Sequence, residues 1–400
     1  MGRLVVFFGI FLGCISALGQ SATTTLGNIR AQLEEIRADA PKYDDSRGAS
    51  PALTNIKHEL REWVESRLDA LHSDPNAEDG AELKLADILN AELEREHLFR
   101  KDPDEDGDFF WKGGGFLAPL ELRYIERQSY LLLQTSLEVV CGYDESAYLY
   151  RYDNGHWKRI WETEQNTYTK EGYKPQFIRS VLVSPPLNES TPYVMTLGTE
   201  PWCSSNWHDV YVRIWKVGPA DSRLLLDKAE WAFLGTHDIP IMGSIGREDA
   251  LVEYTTNSAD VGVFSRQVVL HYSLASDKVT RIDPLALSPR EFVDAWLAED
   301  WSESRRWSER PHLAGLKAAN NTRGRNNFMP TRSCSEPDLW QVGMESDDNK
   351  PAPVYFLVRW RPPYKFRMVQ SSRRPFPNCK TEDPKADEPR TLFPVQDWRE

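Results

Sequence analysis

Beyond residue 19 the chain has no apolar run long enough to cross a bilayer as a helix, which excludes a spanning anchor in the mature part. CxxC, HExxH, GxSxG and Walker A patterns are all missing. Their absence removes thiolate metal sites, that class of zinc hydrolase, the nucleophile elbow and the phosphate loop. An excess of positive charge is lacking too. The 48 Lys+Arg face 61 Asp+Glu, a formal charge of −13, so nucleic acid is not bound through bulk electrostatics. Function must be sought in organisation and in a few local constellations.

The N-terminus carries a targeting pattern. Arg3 supplies a positive charge, Leu4 to Ile15 is largely apolar, and Ala17-Leu18-Gly19 offers small residues for cleavage. Residues 1–19 are therefore expected to be a signal peptide. Cys14 in "FLGC" raises a lipoprotein alternative, but Phe11 stands where an aliphatic residue is expected. The mature protein is expected to be soluble, in the periplasm or secreted. Four cysteines then remain, Cys141, Cys203, Cys334 and Cys379. An even number in an exported chain favours disulfides, and proximity favours Cys141–Cys203 and Cys334–Cys379. Hydrophobic content of 40% with 14 Trp is ample for a packed core.

Residues 20–101 read as a helical arm. Leu26, Ile29, Leu33 and Ile36 recur at helical spacing, as do Leu53, Ile56, Leu60, Val64 and Leu68, and then Leu83, Leu85, Ile88, Leu89 and Leu93. The stripes are narrow and the segment is short for its own core, so the arm is expected to lie on the domain that follows. Residues 102–117 form an acidic and glycine-rich linker.

From 118 to 287 the period changes to two. "SAYLYRYDNGHWKRIWETE" is a hairpin whose Asn154-Gly155 suits a type I′ turn. Similar hairpins recur, with Tyr148, Tyr211 and Leu270 at equivalent places, and two strand-like runs precede each. The reading is a β-repeat domain of units at about 118–176, 177–236 and 237–287, each with four antiparallel strands, propeller-like or sandwich. Residues 288–400 add a C-terminal helix and a β-hairpin module with a coil tail. Ser288, Pro289 and Glu291 make a capping box with proline in the first turn. The fold class is thus mainly β with a helical N-terminal arm.

Three constellations can carry chemistry. Asp102, Asp104, Asp106 and Gly107 resemble the first half of an EF-hand calcium loop, with Asp108 as a further oxygen donor. Position 12 is Gly113 where the bidentate Glu belongs, so an acidic linker is the stronger expectation and calcium the weaker; no other cofactor is indicated. The pairs His208-Asp209 and His237-Asp238 stand at strand edges, where His could serve as base or ligand. Neighbours on a strand point to opposite faces, which argues for plain surface positions.

Trp202 and Trp207 flank Cys203 and are the tryptophans expected to be most exposed, with stacking on a sugar ring as the functional reading. In the C-terminal hairpin, period two groups Arg359 and Arg361 on one face, joined by Lys365 and Arg367 from the return strand. Residues 301–400 hold 18 basic against 13 acidic residues. That face suits an anionic polymer or glycan, or docks on acidic groups of its own chain. A non-enzymatic exported binding or scaffold protein of the envelope is the leading expectation. A secreted hydrolase of polysaccharide or ester is the alternative.

Overall fold

A computed structural model describes residues 24–38, 52–70, 81–100, 114–125, 129–139, 141–164, 176–187, 191–201, 205–218, 221–235, 240–260, 265–274, 278–282, 286–312, 314–320, 327–346, 352–361 and 365–386. The expected signal peptide, Cys14 and the acidic stretch from Asp102 to Asp108 lie outside these residues. Among the described residues, no helix is long and apolar enough to cross a membrane. The chain divides into two compact units, Met1–Ser204 with Trp215–Leu224, and Ser205–Ile214 with Leu225–Glu400.

In the first unit the three apolar stripes become helices α1 (24–38), α2 (Ala52–Ala70) and α3 (Ala81–Arg95). Leu26, Ile29, Leu33, Leu60, Val64, Leu89 and Leu93 are all buried, as helical spacing requires. They do not form a separate bundle. Their core is continuous with Leu131, Leu133, Tyr148 and Tyr150 of the first sheet.

That sheet is an in-order antiparallel meander of β1 (Glu121–Ile125), β2 (Tyr130–Val139), β3 (Gly142–Asp153) and β4 (His156–Thr163). Asn154 and Gly155 take φ of 53° and 88°, and Asp153 pairs with His156. This is the two-residue turn that Asn-Gly favours. Period two divides the sheet's side chains between two dry faces. Tyr130, Leu132, Ala147 and Leu149 point away from the helices and share a core with Ile178, Val181, Val194, Trp215 and Val217. Each fully buried Leu contributes about 1.5–3 kcal/mol, so a meander covered on both sides carries much of this unit's stability.

The second sheet is the meander β5 (Phe177–Val183), β6 (Tyr193–Thr199), β7 (Trp207–Val217) and β8 (Ser222–Phe233). The third is β9 (Met242–Ile245), β10 (Asp249–Asn257), β11 (Ser265–Ser273) and β12 (Thr280–Arg281). Tyr148, Tyr211 and Leu270, picked out by pattern, all fall on the third strand of a four-stranded meander.

The C-terminal region holds more strand than its sequence suggests. The expected hairpin is β16 (Val354–Arg361) with β17 (Lys365–Ser372). It continues through β15 (Leu339–Glu345) to β14 (Arg332–Cys334), while β13 (Asn327–Phe328) pairs with the far end of β15. This is a fourth antiparallel meander, its first strand interrupted between β13 and β14.

The expected coil after Ser371 is partly replaced. β18 (Cys379–Glu382) pairs with β14, and Cys334–Cys379 is a disulfide across that pair. The polar sequence hides β18 because pairing, not propensity, makes it a strand. Cys141 is also disulfide-bonded; its expected partner Cys203 lies outside the described residues. Helix α4 (Pro289–Ala298) starts as its capping box requires. Ser288 Oγ accepts from Glu291 N at 3.1 Å, and Glu291 Oε2 accepts from Leu287 N at 3.0 Å. Its Phe292, Val293 and Trp296 pack on Val342, Phe356, Val358 and Met368 of the fourth sheet.

Candidate functional site

Charged side chains concentrate in two places, and each lies within one unit. The first is the face of β3 and β4 beneath α2. Lys57 Nζ meets Asp144 Oδ2 at 2.6 Å with both side chains fully buried. Glu164 Oε2 accepts from Arg61 Nη1 and from Tyr148 OH, each at 2.6 Å. Glu65 Oε1 accepts from Arg159 Nη1 at 3.0 Å and from Tyr150 OH at 3.2 Å. Burial, reinforced by these carboxylates, pushes both tyrosine hydroxyls well above their ordinary range. Every acid here already has donors from its own chain. The cluster fastens a helix to a sheet.

The second concentration surrounds a cleft of about 160 Å³ in the other unit, lined by parts of β8, β10, β11, β12 and α4. β8 is an edge strand. Period two turns Ala232 into the core and Trp231 outward, and Trp231 is 53% exposed at the cleft. It is held in place from two sides. Its carbonyl accepts from Thr256 Oγ1 at 2.6 Å, and its ring stacks on Trp207 with centroids 6.1 Å apart and planes 10° from parallel. Trp207 in turn packs against Phe233 at 5.1 Å. A large aromatic face is thus presented to solvent on a firm backing.

Deeper in the cleft the side chains are ionisable. Tyr254 OH donates to Glu230 Oε2 at 3.4 Å, and burial raises the Glu230 carboxyl above its ordinary range. Arg281 Nη1 pairs with Glu299 Oε1 at 2.7 Å. Glu291, the capping residue of α4, also lines the cleft. Burial pushes its carboxyl up to about 7, against the opposing pull of the Leu287 backbone bond and the Arg266 charge.

The residues singled out by sequence are distributed differently. Trp207 is half-buried as the support, and exposure falls on Trp231 instead. Alternation counted Trp231 among the core tryptophans because an edge strand reads like any other. Trp202, His237 and Asp238 lie outside the described residues, as do Asp102, Asp104, Asp106 and Asp108. His208 Nε2 is 2.7 Å from Ser205 O and, like Asp209, is not part of the cleft lining. Among the described residues no group of three or more His, Cys, Asp or Glu could hold a metal ion.

The basic hairpin face meets acids of its own unit. Arg359 reaches Glu309 at 3.1 Å and Glu336 at 2.6 Å, Arg361 reaches Glu309 at 3.3 Å, and Arg367 Nη1 donates to Arg306 O at 2.8 Å. Lys365 is exposed at the start of β17. Sequence reasoning missed Glu230, Arg266, Arg281 and Glu299, because single charged residues on strands carry no motif.

No family model and no curated protein matches the chain. A solved structure of a complex between BT0996 and RGII aligns at 8% identity, over 69% of this protein and 92% of the other, with a TM-score of 0.24. A likeness of that size carries no argument about this chain.

Proposed function

We propose that this is an exported, non-enzymatic sugar-binding protein of the envelope or extracellular space, with its ligand at the Trp231 cleft. The observation that carries the reading is the 53% exposed Trp231 ring, backed by Trp207, at the edge of a cleft with polar groups. Sugar rings present apolar faces that stack on such a surface, while their hydroxyls need fixed donors and acceptors. Asn257 and Gln267 supply those at the lining. The disulfide Cys334–Cys379 supports an oxidising compartment. The carboxylates favour binding over turnover, since Glu299 is taken by Arg281 and Glu291 by the α4 cap.

The test is tryptophan-fluorescence titration against a panel of neutral and acidic oligosaccharides, with Trp231→Ala beside the native chain. Saturable quenching that the variant loses at least tenfold, with its melting temperature unchanged, is the expected result. No saturation with any sugar would sink the reading.

Hydrolysis of polysaccharide is the second reading. It is favoured by the Glu230 carboxyl, which burial holds protonated further up the pH scale, with Glu299 lining the same cleft. Sugar release that Glu230→Gln abolishes would move the assignment to an enzyme.

A further inference from the structure

Arg266 on β11 lines the cleft with a side chain only 9% exposed. Its Nε lies 3.3 Å from Asp294 Oδ1, at ion-pair distance but without hydrogen-bond alignment, so Nε and Nη1 are buried with no acceptor. Asp294 is otherwise engaged, accepting from Ser258 Oγ at 2.5 Å and from Ala259 N at 3.0 Å. Arg281 repeats the pattern more weakly. It has Glu299 at 2.7 Å and stands over the Trp307 ring at 5.5 Å, yet its Nε is also buried without an acceptor.

Leaving a buried donor unmade costs about 1–3 kcal/mol, more for a charged group. Proteins keep such groups where something else completes them. The lining carboxylates do not do so here. Glu299 serves Arg281, Glu291 serves the Leu287 amide, and Glu230 accepts from Tyr254.

We infer that the ligand of this cleft is an acidic sugar, a uronic acid residue whose carboxylate is received by Arg266 while its ring lies against Trp231. This rests on the sugar-binding reading of the cleft and narrows it to one ligand class. A guanidinium offers a planar fork that matches the two oxygens of a carboxylate, and burial strengthens the bond by excluding water. Size fits as well. At about 160 Å³ the cleft is smaller than the roughly 300–1,000 Å³ of pockets that enclose drug-sized molecules, so it takes one ring, at a chain end or protruding from a polymer.

The experiment is calorimetric titration of the full mature chain with short oligomers of galacturonate, glucuronate, mannuronate and guluronate. Each is run beside its carboxyl-reduced neutral counterpart, which keeps the ring and loses the charge. The expected result is at least one acidic oligomer binding tenfold or more tighter than its reduced form. Arg266→Lys, which keeps the charge and loses the fork, should erase that ratio without changing affinity for the reduced form.

Reduced forms binding as well as the acids, with Trp231→Ala abolishing both, would overturn the acidic-ligand inference and leave the sugar reading standing. No binding by any of the eight oligomers would overturn the inference, and failure of the neutral panel as well would take the sugar reading with it. The ligand-side comparison uses the native chain, so it holds even if Arg266→Lys fails to fold.

Discussion

The α2 face of the first sheet and the Trp231 cleft both bury charged side chains, yet they complete their hydrogen bonds differently. Under α2 the acids Asp144, Glu164 and Glu65 are matched by Lys57, Arg61 and Arg159, and two tyrosine hydroxyls fill remaining lone pairs. In the cleft Arg266 keeps two buried nitrogens without acceptors, and Trp231 stands exposed beside it. A satisfied polar network specifies packing, while a partly unsatisfied one at an opening leaves room for a partner. The contrast separates structural charge from charge available to a ligand, and composition shows neither.

The sharpest way to break this comparison is to remove one cation from each place. Lys57→Met leaves Asp144 buried and unpaired, and should cost about 3–5 kcal/mol in urea unfolding. Adding Asp144→Asn should recover much of that loss, since the amide oxygen can still accept from Gln176 N, which now lies 3.2 Å from Asp144 Oδ1. Arg266→Met should cost less, about 1–2 kcal/mol, because Asp294 keeps its Ser258 and Ala259 donors. Equal losses would mean that Arg266 is as structural as Lys57.

Acidity offers a second comparison, one carboxyl from each unit. Glu145 accepts from Ile178 N at 2.5 Å and Ser136 Oγ at 3.2 Å, and burial pushes it from 4.5 up to about 8. Glu291 is pushed to about 7. For a carboxyl with a raised folded value, the folded state holds the proton longer than the unfolded chain. The stability it contributes is present below about 4.5 and is lost as pH rises through about 7 for Glu291 and about 8 for Glu145. Melting temperature should therefore fall between about pH 5 and pH 9. Glu145→Gln should remove the alkaline part of that fall and raise the melting temperature by several degrees at the alkaline end, with little change at the acid end. A variant that melts lower at the alkaline end would show that Glu145 is ionised when folded.

The smallest expected effect sharpens the contrast at the surface. Arg359→Ala breaks pairs with Glu309 and Glu336 that remain partly exposed, and should cost less than about 1 kcal/mol. Chain adsorption to an anionic polymer should not change either. Loss of adsorption would return the basic hairpin face to consideration as a binding surface.

Local features were legible because local physics makes them. Asn154-Gly155 takes positive φ at both positions, Ser288 and Glu291 satisfy the orphan amides of α4, and the stripe from Leu26 to Ile36 is buried. Four-stranded meanders could be read from recurring hairpins, since neighbouring strands in sequence tend to pair. The cleft could not. Trp231, Arg266, Arg281 and Glu299 come from separate elements spread over about seventy positions, and nothing in their spacing announces a meeting.

By itself, then, the sequence determined periodicity, turns, caps and the number of cysteines available for bridges, all of which act over a few residues of backbone. Only tertiary structure decided that the first sheet is dry on both faces, that β18 becomes a strand beside Cys334, that the Arg359 face meets Glu309, and that Trp231 stays in solvent. Burial and hydrogen-bond satisfaction depend on which distant groups arrive, and that is a property of packing, not of any residue's neighbours in the chain.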